Sequence, residues 1–126
     1  MIDIARIATV VPIQGTFDIA LARNTLRTKI AQQRWPMVFN ARAATALTAL
    51  GELILMVGKA QAVPVHIEVL EQSKKYGIRL NCRFRLPDKK PIRWEEQKNK
   101  LEQAAADTEI QESQTEIEVT AYVWVE

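Results

Sequence analysis

The chain has 126 residues, 48% hydrophobic and 25% charged, with 17 basic and 15 acidic side chains and a net charge of +2. That length suits one domain spanning 1–126, and charges so evenly interspersed make too weak a field to argue for a nucleic-acid partner. A single cysteine, Cys82, excludes an internal disulfide and suits a reducing compartment.

No run approaches the length and apolarity of a membrane span, and the start, MIDIARIATVV, has acid and base inside it rather than a long apolar core. Neither a membrane partner nor a secretion signal is expected, and the reading is a cytoplasmic protein. Residues 6–13, RIATVVPI, are β-branched and close on a proline, which predicts a strand near a sheet edge. Thr16 is the expected N-cap, with Asp18 in the first turn. Ile19, Ala22, Leu26 and Ile30 then recur at helical spacing until Pro36, predicting a helix over about 17–34.

A second helix is predicted over about 38–57, where Ala43, Leu47, Leu50, Ile54 and Val57 form one stripe with Glu52 opposite. GKAQAVP, 58–64, breaks it. VHIEVL, 65–70, alternates as a strand, EQSKKYG is a polar turn, and IRLNCRFRL, 78–86, is the cleanest strand in the chain. In it Ile78, Leu80, Cys82, Phe84 and Leu86 point one way and Arg79, Asn81, Arg83 and Arg85 the other. PDKKP is a loop. A third helix, 93–106, is carried by Trp94, Leu101 and Ala105, with Glu96 placed to support Lys100. A short extended piece, TEIQE, leads to a last strand, EIEVTAYVWV, 116–125.

Strands that alternate cleanly have one covered and one solvated face. The expected fold is an α+β two-layer sandwich, with three helices on one face of a mixed, mainly antiparallel sheet.

Several pieces, in this order, resemble the histidine-kinase-like ATPase superfamily (Bergerat fold, GHKL), and within it the small serine kinases and anti-sigma factors of bacterial partner-switching systems. VVPIQGTFDIALARNTLR is similar to that family's first strand and D-I-x-x-A-R helix. Phe39-Asn40-Ala41-Arg42, followed by Ala44-Thr45-Ala46-Leu47, is similar to its D-Q-A-R-I-x-T-A-I start of the second helix. Gly58-Lys59 resembles its A-G-K-G turn, KKYGIRLN its G-K-K-G-L-x-I hairpin, and TEIEVTAYVW its closing G-T-x-V-x-x-x-x-W strand.

The resemblance implies a nucleotide site, and the chain departs from it at three places. The family's second helix carries an acid and, four residues later, an asparagine: a general base and a magnesium ligand. With Thr45-Ala46-Leu47 in register those positions are Ala49 and Leu53; sliding the register so that Glu52-Leu53 match puts Met56 at the asparagine. The adenine-binding aspartate of the D-x-G-x-G box falls at Phe84, and the nearby Asp88 has no glycine after it. The phosphate-cradling glycine lid is replaced by PIRWEEQKNKLEQ, which has none. The implication is a regulatory domain that binds proteins without ATP hydrolysis and takes no cofactor. The alternative is a divergent serine-protein kinase using ATP and magnesium. Partners implied by the resemblance are a STAS-domain antagonist, a sigma factor or a phosphatase, and a homodimer is the further option.

Ala49, Leu53 and Met56 make a second apolar strip that must be covered, either by the 87–106 segment with Trp94 as plug or by another protein. Tyr122 and Trp124, near Arg83 and Arg85, form the competing surface for self-association. Glu52 reads as a solvated or partner-facing side chain, and the turn residue Asp88 as no adenine ligand. His66 lacks the companions a metal needs, and Cys82 reads as packing. The arginines on 79–85 read as cross-strand partners of Glu116, Glu118, Tyr122 and Trp124 rather than a nucleic-acid stripe.

Overall fold

The computed structural model describes residues 4–57, 62–72, 74–85 and 89–125. Its elements run β1 (Ile4–Ile13), α1 (Thr16–Ala31), α2 (Met37–Val57), β2 (Val63–Gln72), β3 (Lys75–Arg85), α3 (Trp94–Ala104), β4 (Asp107–Glu112) and β5 (Glu116–Val125). The sheet order is β1-β2-β3-β5-β4. All four pairings are antiparallel, which corrects the expectation of a mixed sheet. Two pairings join neighbours in sequence, β2–β3 and β4–β5, and such short connections can only reverse the chain.

Alternation sets what each face does. Val65, Ile67 and Val69 of β2, Ile78 to Phe84 of β3, and Ile117 to Val123 of β5 contribute every second residue to one core. The same core takes Ile19, Ala22, Leu26 and Ile30 from α1 and most of the α2 stripe. Trp94, Leu101 and Ala105 complete it from α3 and its C-cap. The result is a two-layer α/β sandwich. The opposite sheet face carries Glu68, Arg79, Asn81, Glu118, Thr120 and Tyr122. There Arg79 donates twice to Glu68 at 2.8 and 2.9 Å, and Asn81 donates to Thr120 Oγ1 at 2.8 Å.

Leu70 breaks that division. It lies in the polar row yet is buried, level with Gly77 of β3 and, beyond it, Trp124 of β5. Gly77 has no side chain to hold the row apart. A Cβ there would come 2.3 Å from the Val123 carbonyl oxygen and 2.8 Å from Trp124 Cε3, so the indole lies directly over the glycine.

Helix ends differ from the sequence reading for local reasons. Gly15, not Thr16, is the N-cap, in extended backbone. It offers no side chain, and the Asp18 carboxylate instead accepts from the Gln14 and Gly15 amides at 2.8 and 3.0 Å. Helix α1 stops at Ala31 rather than 34, because Arg34 turns to φ 57 just ahead of Trp35-Pro36. Helix α3 stops at Ala104, where Ala105 becomes extended and the Ala106 amide donates to the Tyr122 carbonyl at 2.8 Å. By length and composition α2 is apolar enough to cross a membrane, against the expectation from sequence, but half of its most apolar stretch is buried in this fold.

Candidate functional site

The α2 flank that the sequence singled out faces α3. Ala49 and Leu53 are buried and Met56 is partly buried. Helix α3 contributes Trp94 and Leu101 to the same core. Between the two helices lies Gln97, the one buried polar side chain among the described residues. Its Nε2 donates to the Ala49 carbonyl at 3.2 Å and to Glu52 Oε1 at 3.3 Å. An amide in this position satisfies itself on a neighbouring helix rather than on solvent. Glu52 itself remains exposed, opposite the core stripe.

The other singled-out positions are dispersed. Phe84 is buried on the inner sheet face, level with Ile117. Asp88 and the Gly58-Lys59 turn lie outside the described residues. Tyr122 and Trp124 are on the open sheet face, stacked with centroids 5.6 Å apart and planes at 11°. The cation over Trp124 is Lys75, at 5.6 Å, not one of the arginines. Register puts Arg79 beside Tyr122, Arg83 beside Glu118 and Arg85 beside Glu116. Arg83 pairs with Glu118 at 3.4 Å, and Arg85 is exposed. The Glu68 hydrogen bond holds the Arg79 guanidinium still further above its ordinary pKa, against the opposing effect of burial.

Cys82 is buried and its thiol is pushed up to about 12, first by burial and then by the Glu118 charge. Such a thiol is a poor nucleophile. His66 sits in the open face level with Val10 and Asn81. No group of three or more potential metal ligands occurs among the described residues.

Sequence reasoning missed a trough across the outer surface of the helical layer. One cavity of about 660 Å³ is floored by Ala41, Ala44, Thr48 and Ala49 of α2, with Arg23 on one wall and Lys100 on the other. A second, of about 530 Å³, continues along α1 and α2 past Arg27 to Met37 and Asn40, sharing Arg23, Ala41 and Ala44 with the first. Thr45 and Thr48 turn their hydroxyls back to the Ala41 and Ala44 carbonyls at 2.9 and 2.8 Å. Their methyl groups are therefore what the trough offers, and two nominally polar residues act as apolar ones. The signal was present in the sequence as Ala41, Thr45 and Thr48, small residues at helical spacing on the face opposite the stripe.

The chain matches no protein-family model and no curated protein.

Proposed function

We propose that the chain is a regulatory binding module, a nucleotide-independent relative of the partner-switching serine kinases and anti-sigma factors, which acts by docking another protein. The observation that carries this reading is the closure of the α2 flank by α3. Where the resembled family needs an acid and an amide open to a nucleotide, this chain has Ala49 and Leu53 buried in the core to which α3 contributes Trp94 and Leu101. Gln97 ties the two helices together through the Ala49 carbonyl. A magnesium-bound triphosphate needs fixed donors and a ligand for the metal, and a flank of this composition provides neither. The partners proposed are those of the resembled systems: a STAS-domain antagonist, a sigma factor or a phosphatase in a reducing cytoplasm.

The test is thermal unfolding with millimolar MgATP and MgADP. A ligand at a hundredfold its dissociation constant adds about 2.7 kcal/mol, which moves a domain of this size by roughly 10 °C. The expected result is no shift. A clear rise that needs magnesium would overturn the reading in favour of an ATP-dependent kinase.

A further inference from the structure

We infer that the trough over α2 is the docking site for an acidic amphipathic helix of a partner protein. This deepens the binding-module reading by naming the surface and the chemistry of what it holds. The shape comes first. From Met37 to Glu52 the α2 backbone rises about 22 Å, the length of a helix of about 15 residues. The floor along that span is small and apolar, because Ala41 and Ala44 have little side chain and the two threonines show methyl groups. A floor of this kind lets a second helix backbone approach α2 closely, with α1 and α3 as walls. An extended strand would gain less, since the helix backbones that form the surface have no spare hydrogen bonds to share.

Charge then selects the partner. Arg23 and Arg27 stand on the α1 wall and Lys100 on the α3 wall. None of the three is paired with a carboxylate among the described residues. Arg27 donates only to Asn24, at 2.5 Å. Glu96, expected to support Lys100, is hydrogen-bonded by Arg93 at 2.7 and 3.0 Å and acts on Lys100 through its charge alone. The single acid of the trough, Glu52, is engaged by Gln97. Three cations held in no ion pair, facing each other across an apolar floor, complement a helix with an apolar stripe bordered by carboxylates.

At the far end a large apolar side chain stands in solvent, as on a contact surface. Met37 is 85% exposed at the rim.

The experiment uses fluorescence anisotropy with two helix-stabilised peptides of about 16 residues, a length matched to the trough. Both carry Ala and Leu on one stripe; one has glutamates along its borders and the other has lysines. The glutamate peptide should bind the full chain at micromolar concentration and weaken about tenfold as salt rises from roughly 50 to 300 mM. The lysine peptide should not bind. Arg23→Glu/Arg27→Glu should exchange that preference. Thr48→Trp, which fills the floor and leaves the rim charges alone, should abolish binding of the glutamate peptide without lowering the melting temperature. Binding of the lysine peptide by the unaltered chain, glutamate-peptide binding that survives Thr48→Trp, or binding of neither peptide would overturn the inference. A failure here with no MgATP shift would remove the trough as the surface and leave the binding-module reading standing. An MgATP shift would remove that reading itself.

Discussion

Leu53→Asn places an amide at the position where the resembled family has one, and its cost measures how completely α3 covers the flank. Leu53 is fully buried. Removing its side chain forfeits about 2–3 kcal/mol of apolar burial. The asparagine refills part of the volume, so the cavity penalty is smaller than for an alanine, but an amide buried without partners costs a further 1–3 kcal/mol or so. The sum is about 4 kcal/mol, equivalent to a fall in melting temperature of roughly 15 °C for a chain of this length. Met56→Asn, at a partly buried position of the same strip, should cost only about 1 kcal/mol. Both are read from urea unfolding, with the slope compared to confirm that the unfolded state is unchanged. MgATP should restore neither variant. A loss below about 1 kcal/mol for Leu53→Asn would show that the position is wetted, and the account of a flank sealed by α3 would be wrong.

Gly77→Ala should destabilise by about 1–3 kcal/mol, because the nearest atom to the new Cβ is a backbone oxygen at 2.3 Å, and tryptophan fluorescence should shift as Trp124 is displaced; an unchanged stability and spectrum would contradict the packing. Gly51→Ala sets a helix-propensity gain of about 1 kcal/mol against overlap with Ile19 Cγ1 at 2.7 Å. It should therefore be neutral to destabilising in the unaltered chain and stabilising by about 1 kcal/mol in an Ile19→Ala background, a coupling read from a double-mutant cycle. Cys82 should resist a thiol reagent at pH 8 until the chain unfolds. Its folded pKa is raised from 9.0 to about 12, so the thiol favours the folded state below pH 9 and stability is lost as pH climbs from there toward 12. Cys82→Ala should lose less stability over that window than the unaltered chain does.

The strand β3 was legible because its alternation is unbroken and one side is all apolar, and α2 because its stripe runs the helix's whole length. The ends were less so. Gly15 caps α1 through backbone geometry and the reach of Asp18, a contribution that the preference for Thr16 as N-cap obscured. Leu70 looked like the end of an alternating run, and its burial depends on Gly77 and Trp124, which are neighbours only once β3 and β5 are paired. The apolar strip on α2 was visible as Ala49 and Leu53, and Trp94 as a candidate to cover it. The residue that links the two helices, Gln97, was not, since nothing in a helix of alternating charges distinguishes one amide. The trough needed three helices drawn from opposite ends of the chain, so only its α2 floor had any signature in sequence.

The placement of β1 at the sheet edge has a consequence for the order in which the protein forms. Its single neighbour is β2, and the pairing of Ile13 with Val63 encloses both α1 and α2. The β2–β3 and β4–β5 ladders, by contrast, close across turns of a few residues and can form within microseconds. Closing the long loop forfeits chain entropy before any β1 hydrogen bond returns it. The edge strand is thus the last piece of the sheet to join and the first to detach. Its amides should exchange with solvent through a local opening well below the free energy of global unfolding, while those of β3, paired on both sides, wait for the whole molecule to open.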